Sequence, residues 1–421
     1  MTALKVVFLL DTTNVRQGQA LAGTPARTIA LATHLHRAGA AVTLVLCDRG
    51  ADYGQRTQWP VATLLVHPSE FGSADALAAH LNDVNPAFLV SCEAEHLLTV
   101  AAPAASAVGA RLVYDMHDDD AAVARGCGEP EAVAASHART QQAALKRADH
   151  VVVSTVHEER LARRHRHADD EIFTAPNGVD TPQRTLWGSD LRGPATLTFV
   201  GNLFYQPNAD AVRQLCDWVL PGLESRNIAA QLRVIGNAPS SFLHEPRPCV
   251  RFTGRVDDLD AALAPTSLAV APLRAGSGAK MKVLDYLAAG LPVLATDHAV
   301  TGLPPRHPGV IVENDLRAWP ERINGLLQAP AVLAALSEQG RRCAEDHLSW
   351  SLIATRLLRG LAIWHASTPT PARPSAQPRA TSQPRWQREH RLQPAALTSP
   401  RRAHWLRRTP PARPDMCGSD T

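Results

Sequence analysis

This chain is short of paired cysteines, aromatic rings, long apolar runs and net charge, and each shortage removes a class of protein from consideration. Its seven cysteines stand at 47, 92, 127, 216, 249, 343 and 417; the count is odd and no CxxC occurs. That argues against a disulfide framework and a structural zinc site, and most of the thiols are expected in the core. No stretch of 18 apolar residues is present, so no segment is expected to span a membrane. The start, MTALKVVFLLDTTN, holds one lysine and a short apolar run cut by Asp11. It lacks the basic start, longer apolar core and cleavage site of a signal peptide, and a cytoplasmic protein is expected. The formal net charge is only +3, unevenly spread. From Ser367 onward ten arginines face Glu389, Asp415 and Asp420, which leaves that segment at +7 and residues 1–366 at −4. A mildly acidic body does not read as a nucleic-acid binder.

What the chain does have is 45% hydrophobic content arranged in short runs. Leu4–Leu10, Ala41–Cys47, Ala87–Ser91, Arg111–Met116, Val151–Ser154 and Glu171–Ala175 read as strands, and residues 26–38 as a helix closed by Gly39. After the turn cluster PNGVDTP (176–182) the pattern restarts. Strands are expected at Thr196–Val200, Gln231–Ile235, Val250–Thr253, Ser267–Ala271 and Pro292–Thr296, and helices over 208–226, 258–264 and 279–289. Residues 332–347 and 350–365 read as two closing helices. Apolar strands without polar alternation, separated by helices, indicate parallel sheets covered on both faces. Two α/β halves are therefore expected, with a site in the cleft beyond the carboxyl ends of their strands. Ten prolines in the last 55 residues, mixed with Arg, Gln, Ser and Thr, predict disorder there. With Trp386 and Trp405 this basic tail could touch an anionic membrane surface, or it is solvated and without specific function.

Four short stretches carry chemistry. GSGAKMKVLD (276–285) follows an apolar strand, so Gly276, Ser277 and Gly278 form a turn into a helix start whose free amides suit an anion. Lys280, in the expected first turn, could reach a phosphate, whereas Lys282, two residues on, points elsewhere. Asp285 could accept from sugar hydroxyls. The spacing excludes a P-loop, and a solvated lysine-bearing helix is the plainer alternative. YDMHDDD (114–120) places His117 after a strand, with Asp118 or Asp120 to orient it or the carboxylates to hold a metal; helix capping by the aspartates is the alternative. Gly201-Asn202 ends a strand in a close-approach turn. Asp11 to Ala26 is a long loop, a possible flap, ending in Thr24 as an expected N-cap with Pro25 behind it.

The order of the pieces resembles the GT-B glycosyltransferases, in particular glycosyltransferase family 4, the group-1 glycosyl transferases. The resemblance covers residues 1 to about 366. It rests on ADHVVVSTVHEERL (148–161), IFTAPNGVD (172–180), TFVGNLFYQPNADAVRQLCDWVLPGL (198–223), LRVIGNAP (232–239), VRFTGRVDDLDAALAPTSLAVAPLRAGSGAKMKVLDYLAAGLPVLAT (250–296) and RRCAEDHLSWSLIATRL (341–357). It implies two Rossmann-like parallel-sheet domains facing across a cleft: an acceptor-side domain over 1–178, a nucleotide-sugar domain over 179–348, a closing helix over 349–366 packing back on the first domain, and the disordered tail 367–421. Within the family the chain looks like the sugar transferases of bacterial exopolysaccharide synthesis.

The resemblance also implies roles. The donor, a nucleoside-diphosphate sugar, would lie on the second domain, with Gly276, Ser277, Gly278 and Lys280 at its diphosphate and Asp285 at the ribose. Asp285 stands where the family has the second glutamate of a pair; the first is Ser277 here. The turn at Gly201 and Asn202 often carries an arginine and a lysine in the family, but this chain reads NLFYQPN, so Lys280 would supply more of the charge, with Arg255 or Arg274 in support; Lys282 is counted among the donor-binding residues without a particular role. His117 matches a histidine near the reacting sugar. The implied reaction is retaining and needs no metal or other cofactor, the acceptor being a glycan or lipid-linked glycan, with peripheral membrane contact through the tail. The departures at Ser277 and Asn202 keep a non-catalytic nucleotide-sugar- or partner-binding protein open as an alternative, beside an epimerase or phosphorylase on the same architecture.

Overall fold

The computed structural model describes residues 3–12, 23–49, 61–166, 172–182, 185–188, 193–243, 247–276 and 278–367. Ser277, Cys417, Trp386, Trp405, the body of the expected flap and the tail beyond Ser367 lie outside the described residues.

Among the described residues thirteen strands form two sheets. The first holds β1 (Lys5–Leu10), β2 (Ala41–Cys47), β3 (Ala62–Val66), β4 (Phe88–Ser91), β5 (Arg111–Met116), β6 (His150–Val153) and β7 (Ile172–Thr174), in the order β3-β2-β1-β4-β5-β6-β7. The second holds β8 (Ala195–Val200), β9 (Ala230–Ile235), β10 (Val250–Gly254), β11 (Leu268–Ala271), β12 (Val293–Ala295) and β13 (Val310–Val312), in the order β10-β9-β8-β11-β12-β13. Every pairing of named strands is parallel. This is the outcome expected of apolar runs without alternation: β4, β5, β6 and β11 are buried along their whole length.

Both sheets reverse direction of growth after their third strand, so that the switch point lies between β1 and β4 in one and between β8 and β11 in the other. Such a switch point opens a crevice at the carboxyl ends, because the flanking loops diverge to opposite faces. In the second sheet the two loops concerned are the glycine turns the sequence singled out, Gly201-Asn202 after β8 and Gly276–Gly278 after β11.

Several expectations are corrected. β3 and β13 were not anticipated. The helix expected over 208–226 begins at Gln206 and runs to Glu224, with a wider π turn at Leu215–Val219. Of the six described cysteines, all free, Cys47, Cys216 and Cys343 are buried, Cys92 is partly so, and Cys127 and Cys249 are exposed. The helix Trp350–Ser367 returns to the first sheet, where Trp350, Ile353, Leu357, Leu361 and Trp364 share a core with Phe8, Leu31, Val113 and Val152. Trp364 stacks on the His150 ring at 4.1 Å, and the Arg111 guanidinium donates to the carbonyls of Trp364 and His365.

Candidate functional site

The first-sheet side of the site is fixed by a buried ion pair. Arg27, in the helix Thr24–Arg37, grips Asp115 with Nε at 3.1 and 3.0 Å and Nη2 at 2.8 Å, and gives Nη1 to Asn177 Oδ1 at 2.9 Å. Both members of the pair are 2% exposed. Removing one partner would strand a buried charge at a cost of about 3–5 kcal/mol, so the helix start is held firmly over the end of β5.

That clamp places Thr24 against His117. Thr24 Oγ1 lies 2.9 Å from His117 Nε2, and His117 Nδ1 lies 3.2 Å from the carbonyl oxygen of Asp115. A carbonyl only accepts, so Nδ1 carries the proton, and in the neutral ring Nε2 accepts from the Thr24 hydroxyl. Thr24 is thus not the expected N-cap; Gly23 holds that position and the threonine side chain serves the histidine. Nor do the aspartates orient the ring directly. Asp118 Oδ2 is 3.8 Å from Nε2, and Asp119 caps the helix Asp120–Gly126 by accepting from Ala122 N at 3.0 Å. Burial pushes the Asp120 carboxyl up to about 7, against the pull of His117 and with the push of Asp118. Among the described residues no group of three or more His, Cys, Asp or Glu could hold a metal.

The second-sheet side is the loop after β11. Gly276 and Gly278 both have positive φ, 109° and 66°, which explains the glycines. The helix starts at Met281, so Lys280 caps it from outside the first turn, and its Nζ donates to the Gly278 carbonyl at 2.9 Å. The loop meets the first half directly. A Cβ on Gly278 would collide with Asp118 Oδ1 and lie 3.2 Å from the His117 carbonyl. One on Gly276 would lie 2.8 Å from the Tyr205 hydroxyl, which also packs on Gly126 of the first half. Gly302 fits between Ala279 and Thr155 in the same way. Lys280 therefore faces Asp118 and the buried Glu158. Burial lowers its pKa from 10.5 to about 8, with both carboxylates pulling the other way. Burial likewise raises the pKa of Asp118, against the pull of His117 and Lys280. Glu158 is itself held by the hydroxyls of Ser154 and Thr155.

The remaining candidates separate into two groups. Gly201, Asn202 and Lys282 belong to one cluster: a Cβ on Gly201 would lie 2.9 Å from Asn208 Cγ, Asn208 Nδ2 donates to the Asn202 carbonyl at 2.9 Å, and Lys282 Nζ donates to Asn208 Oδ1 at 2.9 Å. Lys282 thus diverges from Lys280, as their spacing of two requires. Asp285 lies on the same helix, its carboxyl pushed up to about 7 by burial against the pull of Lys282. Arg255 is exposed just after Gly254, which bridges Gly236 behind the Gly201 turn. Arg274 turns to Asp210 at 3.4 Å. Sequence reasoning missed Thr24, Tyr205, Glu158, Asn208 and also His298, whose Nε2 donates to the Gly276 carbonyl at 2.9 Å. None sits in a motif of its own; each meets its partner at the site across 22 or more residues, and Tyr205 and Asn208 lie in the cation-free stretch after β8.

Two parallel sheets whose carboxyl-end loops meet define a GT-B architecture, and known structures share it. HepE of Anabaena, solved with UDP and glucose, superposes with a TM-score of 0.63 at 14% identity, over 85% of this chain and 99% of that one. Sucrose-phosphate synthase of Thermosynechococcus elongatus gives 0.63 at 16% identity over 87% and 100%. A glycosyltransferase of Rickettsia africae gives 0.65 at 11% identity over 87% and 100%. Residues 22–183 match the family model described as Glycosyltransferase Family 4, and residues 194–329 the one described as Glycosyl transferases group 1. The two matches together take in well over half of the chain, which belongs to the GT-B glycosyltransferases. No curated protein sequence matches it significantly. Among the described residues no helix is long and apolar enough to cross a membrane.

Proposed function

We propose that the protein transfers a sugar from a nucleoside-diphosphate sugar, with retention, to a glycan or lipid-linked acceptor of cell-surface polysaccharide synthesis. The observation that carries this reading is the contact of Gly278 with Asp118 and His117, which brings an anion-suited helix start and a polarising histidine from opposite halves to one point. The diphosphate would occupy the crevice between the Gly201-Asn202 turn and the start of the helix Met281–Ala288, with Asp285 at the ribose and Arg255 at the rim. The bound UDP of HepE supports a uridine donor.

During transfer the bond from the anomeric carbon to the phosphate oxygen breaks and a bond to the acceptor oxygen forms on the same face. The departing phosphate oxygen takes the acceptor's proton. Helix amides and Lys280 stabilise the charge that develops on that phosphate, more in the transition state than before it, and no metal is assigned to this task. His117, its Nε2 facing the cleft beside Thr24, touches the donor sugar or acceptor. The basic tail of the sequence supports peripheral contact with the inner face of a membrane by a cytoplasmic protein.

The test is a thermal-shift panel of nucleoside diphosphates and their sugars, followed by donor hydrolysis with and without chelator. A midpoint raised by a nucleoside diphosphate, with hydrolysis indifferent to the chelator, is expected. Binding without any hydrolysis or transfer would favour the non-catalytic reading that Ser277 and Asn202 suggest. Activity abolished by the chelator would overturn the metal-free route.

A further inference from the structure

Two helices begin at the carboxyl edge of the second sheet's switch point: Gln206–Gln214 after β8 and Met281–Ala288 after β11. From Gly201 to Asn208 the first connection, GNLFYQPN, has no cation. The second helix sends one across. Lys282 Nζ donates to Asn208 Oδ1 at 2.9 Å and stands 5.1 Å from the centre of the Phe199 ring, at the end of β8. Asn208 in turn ties its own amide to the Asn202 carbonyl at 2.9 Å, and the missing side chain of Gly201 makes room for it. The ammonium is therefore anchored beneath the Gly201-Asn202 turn.

Its surroundings do not suit an isolated cation. An ammonium has three donors, and the acceptor that holds this one is a neutral amide. Burial, with repulsion from Lys280, lowers its pKa to about 7, and only Asp285 pulls the other way. Lys280 is differently placed: it faces Asp118 and Glu158 across the cleft and gives its Nζ to Gly278. Of the two lysines, Lys282 is the one whose charge lacks a matching carboxylate from the first half.

We infer that Lys282, held by Asn208, is the diphosphate-positioning cation of this site, delivered from the neighbouring helix to a turn that has none of its own. The inference rests on the nucleoside-diphosphate-sugar reading above. It divides the work between the lysines: Lys282 fixes the diphosphate as it binds, and Lys280 acts where the leaving charge develops.

The experiment is calorimetric titration of the full chain with UDP, UMP and uridine. Lys282→Gln keeps an amide donor for Asn208 and removes the charge. A charged hydrogen bond contributes about 1.5–3 kcal/mol, so UDP affinity should fall about 10–100-fold while uridine affinity holds. The paired variant Lys282→Gln with Asn208→Lys moves the cation to the other helix and should regain most of the UDP preference, which restored packing could not do. Lys282→Arg, tested in parallel, should keep that preference and covers poor folding of the glutamine variant. Equal affinity for UDP in Lys282→Gln and the parent, or an equal loss for UDP and uridine in a variant with the parent's unfolding midpoint, overturns the inference alone. A parent chain that binds no nucleoside diphosphate overturns the proposed function and this inference with it.

Discussion

At the scale of single residues, the site is a set of charges kept short of solvent. Lys280 and Lys282 have pKa values lowered from 10.5 to about 8 and about 7 by burial. Between those values and 10.5 the folded chain holds fewer protons than the unfolded one, so these groups make stability rise with pH across that window. An arriving diphosphate reverses the shift by favouring the charged forms. Binding of UDP at pH 8 should therefore take up protons, visible as a binding enthalpy that varies with the ionisation enthalpy of the buffer; a buffer-independent enthalpy would contradict the placement of either lysine at the phosphates. The divergence of the two lysines could be read from their spacing alone. Their partners could not, because Asn208 and Glu158 are brought to them by tertiary packing across 74 and 122 residues of sequence. Thr24 was misread for a related reason: a threonine before a helix signals a cap, and nothing local reveals that its hydroxyl is claimed by a histidine 93 residues away.

At the scale of elements, legibility followed burial. β2 and β5 lie at the expected residues because each is mainly apolar and lies inside its sheet, β5 being buried along its whole length. β3 and β13 are edge strands; β3 is partly exposed along its length and β13 is three residues long, so neither carries the apolar signal of a central strand. The glycine turn was legible as a turn, and its reason is now specific. Gly278 needs both its positive φ and its missing Cβ, the second because Asp118 is in the way. Gly278→Ala should cost about 1–2 kcal/mol in backbone strain and force the loop off the first half. The expected signature is a lower unfolding midpoint together with a larger radius of gyration in X-ray scattering. An unchanged radius would mean that Asp118 yields and the halves stay together.

For the whole molecule, the two-sheet plan was visible in the repeat of strand and helix, and the return of the last helix to the first half was expected through the family resemblance rather than from any local signal. Trp350–Ser367 follows the second half in sequence and completes the core of the first. A chain ending at Leu348 should lose cooperative folding of residues 1–182, seen as rapid proteolysis of that half, while the second sheet persists; equal protection of both halves would show that the helix is dispensable. The same arrangement makes the backbone cross between the halves twice, and the crossings touch. Val179 N donates to the Leu348 carbonyl at 2.8 Å, Val179 bridges Ser349, and Gly178 is pressed against Trp350. Both covalent links between the halves are thus gathered at one place, and any opening of the halves relative to one another is expected to pivot near Val179 rather than at the Gly278 loop.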